Sequence, residues 1–193
     1  MQNLNIMIVG VGGQGTLLAS RILGAVALKK NYDVKVSEVH GMSQRGGSVV
    51  TYVRLGDKIH SPLVEKGEAD IIISFEQLES MRWAEYLRCG GKFIVNEQKI
   101  DPMPVIIGKA KYPEKIIEKI KENCRKTIVV DALSIAKKCG NIKTVNTVLL
   151  GVLAKSTQIE KEVWLESLKE TVPSKFLDVN LKAFEEGYSL QAQ

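Results

Sequence analysis

Apolar residues in this chain fall into short unbroken stretches and longer stretches with helical spacing. The first short stretch, residues 5–11, has no alternation of apolar and polar positions, as expected of a strand buried on both faces. In residues 12–30 the apolar positions recur every three or four residues, which predicts a helix that ends near Asn31. The chain therefore opens with a strand, a glycine-rich turn and a helix.

The same two patterns continue to the end of the chain. Further strands are predicted at residues 33–39, 48–56, 58–64, 69–75, 92–96, 103–108 and 126–132. Gly56 and Asp57 lie between two of these stretches and predict a β-hairpin turn. Helices are predicted at residues 76–91, where two glycines form the stop, and at 112–124, 132–141, 144–157, 159–172 and 174–191.

This alternation of strands and helices predicts the fold class. We expect an α/β fold with an open, mostly parallel Rossmann-like sheet, an antiparallel hairpin and C-terminal helices. The length of 193 residues fits a single domain over residues 1–193. No apolar stretch approaches the roughly 20 residues of a membrane helix. The first 13 residues lack the basic region of a signal peptide, and we expect a cytoplasmic protein.

Composition and charge narrow the possible partners. The net charge of +5 is small, and much of the basic excess lies in residues 108–126, where lysine and glutamate alternate at helical spacing. That pattern is typical of a solvated helix face. No aromatic residues interleave these charges as stacking platforms, which argues against a nucleic-acid surface.

The three cysteines, Cys89, Cys124 and Cys139, are odd in number and widely spaced. No pair has the CxxC spacing of a zinc or iron–sulfur site, and the pattern also argues against a disulfide framework. We expect three free thiols in a reducing compartment.

The glycine-rich turn carries the first candidate chemistry. Gly10, Gly12 and Gly15 match G-x-G-x-x-G directly after a strand and before a helix, the context of a dinucleotide-binding turn. Such a turn lets the backbone approach a ligand, and the helix N-terminus favours an anion. Glu38 lies close to where a ribose-binding acid would stand. Nucleotide or phosphate binding, a turn without a ligand and a contact surface for another subunit remain open.

A second glycine-rich segment follows the second predicted strand. Gly41, Gly46 and Gly47 enclose residues that offer a hydroxyl, an amide and a guanidinium, namely Ser43, Gln44 and Arg45. In a parallel sheet this segment and the first turn lie at the same edge, where ligands bind in such folds. We therefore expect the two segments to be neighbours in space.

The residues show no nucleophile and base pair, no paired carboxylates and no metal-ligand spacing. The chain holds only two histidines, His40 and His60. We therefore interpret it as a binding or assembly component whose chemistry is completed elsewhere.

Residues 10–23 together with residues 40–54 resemble the gamma-type domain of the 2-oxoacid:ferredoxin oxidoreductases. Residues 61–80, 144–155 and 172–188 extend the resemblance over nearly the whole chain. Within the family it is strongest to the small subunit of the indolepyruvate enzymes. The gamma subunit of a pyruvate, 2-ketoisovalerate or 2-oxoglutarate enzyme is similar.

The resemblance implies a subunit that is inactive alone, within a complex that oxidises a 2-oxoacid to an acyl-CoA and passes electrons to ferredoxin. Thiamine diphosphate and [4Fe–4S] clusters would lie on a large partner subunit, and the isolated small chain could form a homodimer. The candidate site, which would contact coenzyme A or dock on that partner, comprises Gly10, Gly12, Gly13, Gln14, Gly15, Glu38, Gly41, Ser43, Gln44, Arg45, Gly46 and Gly47.

Overall fold

A six-stranded sheet forms the centre of the computed structural model, which describes residues 3–41 and 46–190. The strands are β1 (Leu4–Val11), β2 (Asp33–His40), β3 (Ser48–Gly56), β4 (Ala69–Ser74), β5 (Leu87–Asn96) and β6 (Thr127–Val130). They lie in the order β2-β3-β1-β4-β5-β6. β1, β4, β5 and β6 pair in parallel, and β3 runs antiparallel to both of its neighbours. This confirms the predicted mostly parallel sheet.

Helices cover both faces of the sheet. The side chains of β1 alternate between the two faces and are apolar on both, so each face is buried by helices. Ile6 and Ile8 pack on one side, and Met7 and Val9 pack on the other. The helices are α1 (Thr16–Lys29), α2 (Gln77–Trp83), α3 (Met103–Ile106), α4 (Ile116–Asn123), α5 (Ala132–Cys139), α6 (Val145–Ser156), α7 (Lys161–Thr171) and α8 (Leu177–Ser189). The first core is completed by α1 and α5–α8, and the second by α2 and α4.

The sheet contains the expected antiparallel pair, but the hairpin predicted between residues 48–56 and 58–64 is wrong. β2 and β3 form the antiparallel pair, with a register that runs from Asp33 opposite Gly56 to His40 opposite Val49. Residues 58–64 form no strand. β3 is bonded to β1 on one edge and to β2 on the other, so neither edge is free to accept a further strand.

Two more sequence predictions are corrected. The strand predicted at residues 103–108 is wrong: Met103–Ile106 form the short helix α3, because Pro104 supports a helix start and lacks the N–H that a central strand needs. The helix predicted over residues 76–91 ends at Trp83, and a 3₁₀ turn over Ala84–Tyr86 leads directly into β5. β5 begins before the supposed glycine stop, because Leu87 already pairs with Ala69 of β4.

The four predicted C-terminal helices are confirmed as α5 to α8, and two of them touch through glycine. A Cβ built on Gly151 of α6 would lie 2.2 Å from the carbonyl oxygen of Phe184. A Cβ on Gly187 of α8 would lie 2.0 Å from the carbonyl oxygen of Val148. The two helix backbones therefore meet at van der Waals distance. Among the described helices, none combines the length and apolarity needed to cross a bilayer.

The close packing of α6 and α8 yields a stability prediction. Gly187→Ala should lower the free energy of unfolding by at least about 1–3 kcal/mol, because the methyl group must displace a helix backbone. The control is Gly24→Ala in α1, where nothing lies within 4 Å of the new Cβ, and it should gain about 0.5–1 kcal/mol. Urea unfolding of both variants measures the difference. Equal stabilities would contradict the packing.

Candidate functional site

The two glycine-rich segments meet at the carboxyl edge of the sheet. β3 is antiparallel to both β1 and β2, so β1 and β2 point the same way although they are not adjacent. The turn after β1 and the segment after β2 therefore leave the same edge. The Gly12 amide donates a hydrogen bond to the Gly47 carbonyl oxygen at 2.9 Å, which confirms that the segments are neighbours. Ser43, Gln44 and Arg45 lie outside the described residues.

The side chain of Gln14 holds the first turn against the protein. Its Oε1 accepts a hydrogen bond from the Val11 amide at 2.9 Å. Its Nε2 donates to the Phe75 carbonyl oxygen at 2.9 Å and to Gln98 Oε1 at 3.4 Å. Gln14 thus joins the ends of β1 and β4 to the segment that follows β5. Both polar atoms of its amide point inward.

Two glycines of the motif are required by their surroundings. A Cβ on Gly10 would lie 2.8 Å from Gln14 Oε1 and 3.1 Å from Phe75 Cβ. Gly15 has a φ of +82°, and its Cβ would lie 2.8 Å from Asn146 Nδ2. Gly13, by contrast, is exposed, with nothing within 4 Å of its Cβ position. The motif is therefore explained by internal packing at Gly10 and Gly15, and Gly13 faces outward.

Buried polar residues of α6 and α8 support the glycine turn at the start of α1. They were not predicted from the sequence. Asn146 Nδ2 donates to the Gly15 carbonyl oxygen at 3.4 Å, and Asn146 Oδ1 accepts from the Thr147 amide at 2.9 Å. Thr147 Oγ1 in turn donates to Asn180 Oδ1 at 2.6 Å. All three side chains are buried. The signal in the sequence that could have identified them is that they are polar residues within otherwise apolar helix faces.

The second segment is held by a buried carboxylate. The Gly41 amide donates to the Ser48 carbonyl oxygen at 3.0 Å. Ser48 Oγ donates to Glu79 Oε2 at 2.5 Å. Glu79 is only 3% exposed and also accepts from Trp83 Nε1 at 3.2 Å. This fixes the point at which the segment rejoins the sheet, and Gly46 is exposed beyond it.

Glu38 stands apart from the glycine turn. β3 separates its strand from β1, whereas a dinucleotide fold sets the ribose-binding strand beside the first one. Its Oε2 accepts from Thr51 Oγ1 at 2.8 Å, and its Oε1 lies 2.7 Å from His40 Nε2. Both carboxylate oxygens therefore already have partners within this chain.

A second buried carboxylate, Glu76, orders the segment after β5. It accepts hydrogen bonds from the Glu79 amide at 2.9 Å, the Ile100 amide at 3.1 Å and the Tyr112 hydroxyl at 2.5 Å. The same hydroxyl oxygen accepts from the Leu78 amide at 3.0 Å. Burial, together with the hydrogen bond to Glu76, raises the pKa of Tyr112 well above its usual value.

The described residues of this edge offer few groups for chemistry. The helix α1 has no side-chain N-cap and no acidic residue in its first turn, so its first N–H groups could meet an anion or a partner. Among the described residues no three His, Cys, Asp or Glu side chains group as a metal site. Cys89 is exposed, Cys124 half-buried and Cys139 buried, and all three are free. Burial raises the pKa of the Cys139 thiol.

Exposed apolar side chains gather at this edge. Leu17 lies in the first turn of α1. Ile142 precedes α6 and Phe176 precedes α8, the helices whose buried polar residues support Gly15. α3 lies between Ile100 and Tyr112, both bonded to Glu76 beside the turn. Seven of the eleven exposed large apolar residues in the described part of the chain lie on elements next to this edge, namely Leu17, Val39, Met103, Ile106, Ile107, Ile142 and Phe176.

The chain is similar to known proteins over nearly its whole length. Residues 5–190 match the family model described as pyruvate ferredoxin/flavodoxin oxidoreductase. The chain is 44% identical over 192 residues to the indolepyruvate oxidoreductase subunit IorB of Pyrococcus horikoshii, covering 97% of this chain and 95% of that protein. It is 30% identical over 189 residues to the pyruvate/ketoisovalerate oxidoreductases common subunit gamma of Thermococcus kodakarensis, covering 96% of each.

One solved structure shows the same fold within a longer chain. The 2-oxoglutarate:ferredoxin oxidoreductase of Magnetococcus marinus, solved with 2-oxoglutarate, coenzyme A and succinyl-CoA bound, superposes with a TM-score of 0.76 at 19% identity. The match covers 100% of this chain and 32% of that one. The fold described above therefore also occurs as one third of a longer polypeptide.

The inward-facing amide of Gln14 gives a testable prediction. Gln14→Glu keeps an acceptor for the Val11 amide but sets a carboxylate against the Phe75 carbonyl oxygen. We expect the free energy of unfolding to fall by about 1–3 kcal/mol. Gln158→Glu, at an exposed position, is the matched control and should change it by less than about 0.5 kcal/mol. Urea denaturation compares the two variants. If Gln14→Glu left the free energy of unfolding unchanged, the inward orientation of the Gln14 amide would be contradicted.

The Tyr112 hydroxyl gives a prediction with a defined pH dependence. Its pKa is raised in the folded protein, so the folded state favours the protonated phenol and loses stability as pH rises above about 10, where the unfolded chain ionises. Tyr112→Phe should cost about 1–3 kcal/mol at pH 8, because Glu76 and the Leu78 amide lose a partner. The deficit should shrink between pH 10 and 11 in denaturant titrations. A deficit independent of pH would refute the assignment.

Proposed function

The chain belongs to the pyruvate ferredoxin/flavodoxin oxidoreductase family, and we propose that it is the small subunit of a 2-oxoacid:ferredoxin oxidoreductase that acts on indolepyruvate or a related aryl pyruvate. One observation carries this choice of substrate. Identity to the indolepyruvate oxidoreductase subunit is 44% and identity to the pyruvate/ketoisovalerate subunit is 30%, at nearly full coverage in both cases. The complex would decarboxylate the 2-oxoacid oxidatively, form an acyl-CoA and pass electrons to ferredoxin.

The redox cofactors are proposed to lie on a larger partner. The described residues of this chain do not fit an iron–sulfur cluster, because Cys139 is buried among apolar residues and no three candidate ligands come together. Thiamine diphosphate is assigned to the partner as well. This chain would then have no activity alone, and its contribution would be to bind and orient.

The carboxyl edge is the proposed docking face for that partner. The polar atoms of Gln14 and Glu38 are turned inward or paired, and apolar side chains such as Leu17 and Ile142 are exposed among the described residues of this edge. Seven exposed large apolar residues on elements next to one edge are more than solubility favours and are typical of a protein contact. The occurrence of this fold within a chain three times as long agrees with a large, permanently attached neighbour.

Coenzyme A is a second candidate for the same edge. The uncapped N-terminus of α1 and the exposed Gly13 and Gly46 favour an anionic group there. Arg45, predicted as an anion ligand, would act with them. If it does, Arg45→Lys should impair the use of coenzyme A, since an ammonium group does not reproduce the planar fork of a guanidinium.

A stand-alone nicotinamide or flavin oxidoreductase is the competing function, favoured by Gly10, Gly12 and Gly15. The geometry counts against it because β3 lies between β1 and Glu38 and that carboxylate is already paired. Titration of the isolated chain with NAD, NADP and FAD separates the two. Tight stoichiometric binding would favour the competing function.

The docking face is tested by two pairs of substitutions. Leu17→Gln with Ile142→Gln alters the glycine edge, and Leu28→Gln with Leu63→Gln alters equally exposed residues at the opposite end of the molecule. The first pair should weaken binding to the large subunit by about tenfold or more, equivalent to about 1.4 kcal/mol. The second pair should change it by less than about twofold, near experimental precision. Equal effects would refute docking at this edge.

Activity provides the parallel measurement. The large subunit, co-expressed with the wild-type chain, should reduce viologen in the presence of an aryl pyruvate and coenzyme A, and it should lose that activity without this chain. Full activity of the large subunit alone would contradict the proposed function. A variant that raises KM for coenzyme A while the complex stays intact would assign the edge to coenzyme A instead.

A further inference from the structure

A groove of about 860 Å³ lies at the end of the sheet opposite the glycine edge. Its walls are α2, α4 and the first residues of β5, and it reaches the segment that leads into β6. These are the amino ends of parallel strands whose carboxyl ends form the glycine edge. The groove is therefore a separate feature of the molecule.

The floor of the groove is apolar. It is formed by Leu87 and Phe93 of β5, Ile120 of α4 and Met81 of α2. Phe93 and Ile120 belong to the second hydrophobic core, and Met81 remains 41% exposed. An apolar group resting here would extend that core towards the solvent and would remove the exposed part of Met81 from water.

The rim of the groove is cationic. Five basic residues line it, namely Arg82, Arg88, Lys119, Arg125 and Lys126. The one acidic residue among the lining residues, Glu85, is neutralised by Lys66 at 2.9 Å. The groove therefore presents a positive field above an apolar floor.

Two of the five cations are available to a ligand. Arg82 is paired with Glu79 at 3.1 Å and Arg88 with Asp70 at 2.6 Å. Lys126 donates to the Gly90 carbonyl oxygen at 3.2 Å. Within the described part of the chain, no carboxylate or carbonyl group is bonded to the side chains of Lys119 and Arg125, which come from two different segments of the wall.

We propose that this groove binds an organic anion that has an apolar body and a carboxylate or phosphate head. The body would lie on Leu87 and Ile120, and the head would pair with Arg125 and Lys119, with the planar guanidinium as the bidentate partner. The volume falls within the range of small-molecule sites. A small ligand is favoured over an acidic protein because Glu118 and Glu122 are exposed on α4 outside the lining and would repel an extended acidic surface.

Two probes with this chemistry are chosen from the proposed function. One is an aryl 2-oxoacid, with an aromatic ring and a carboxylate, and the other is a coenzyme A thioester, with an adenine ring and phosphates. The groove is assigned from its own residues, so the assignment does not depend on the function proposed above. Its test is a binding measurement on the full chain without any partner.

Cys89 makes the groove directly measurable, because its thiol is exposed and lines the groove while Cys139 is buried away from it. The rate of alkylation of Cys89 by iodoacetamide, read by peptide mass spectrometry, reports occupancy. The probes are phenylpyruvate, acetyl-CoA, inorganic phosphate and the uncharged phenylacetamide, all at equal ionic strength. Calorimetric titration of the same probes gives an independent affinity.

We expect phenylpyruvate or acetyl-CoA to protect Cys89, and phosphate and phenylacetamide to protect it far less. The double variant Lys119→Gln with Arg125→Gln should lower the affinity for the protecting ligand by about tenfold or more, which corresponds to a loss of about 1.4 kcal/mol in binding free energy. Lys137→Gln with Lys138→Gln on α5 is the matched control and should leave affinity unchanged. The proposal is overturned if neither organic anion binds, if phosphate alone protects equally, if only an acidic peptide protects, or if the first variant binds as wild type does.

Discussion

The amide of Gln14 is the interaction on which the glycine edge depends. It bonds to the backbone at the ends of β1 and β4 and to the side chain of Gln98 after β5, so three neighbouring strands end at fixed positions relative to one another. Gly10 leaves the room that this amide occupies, and Gly15 leaves room for Asn146. A motif that would otherwise be assigned to a phosphate is thus largely accounted for by internal hydrogen bonding. What remains exposed at the turn for a ligand or partner is Gly13.

The reversed direction of β3 is the second constraint. It places β2 at the edge of the sheet, still pointing the same way as β1, and so carries the segment from Gly41 to Gly47 to the glycine turn. The Gly12 to Gly47 hydrogen bond then joins the two segments, and Ser48 ties the second one to Glu79. The same arrangement removes Glu38 from the neighbourhood of the turn. One strand direction therefore explains both why the two segments are neighbours and why Glu38 stands apart from the glycine turn.

Elements whose pattern is local could be predicted from the sequence, and elements decided by long-range pairing could not. The buried strand at residues 5–11 and the four C-terminal helices follow from periodicity alone. The prediction of a hairpin at Gly56 and Asp57 is wrong, because the residue types of a turn carry no information about the neighbours of β3. Both edges of β3 are already paired, with β1 and β2. The adjacency of the two glycine-rich segments was predictable, because segments that follow strands of the same direction leave the sheet at the same edge. The roles of Asn146, Glu76 and Glu79 were not, because a buried polar side chain is identified only by the partners that bury it.

The two ends of the sheet differ in a way that bears on how the chain would work within a complex. At the carboxyl edge, the polar atoms of Gln14 and Glu38 have partners within the chain, and large apolar side chains are exposed among the described residues, which favours a contact with a partner. At the amino end, cations surround an apolar floor, which favours an exchangeable anion. Because the ends are opposite, a partner docked on the first, as proposed, would leave the second open to solvent. Under the two proposals together, the subunit would be held in a complex through one end and would bind a small anion through the other.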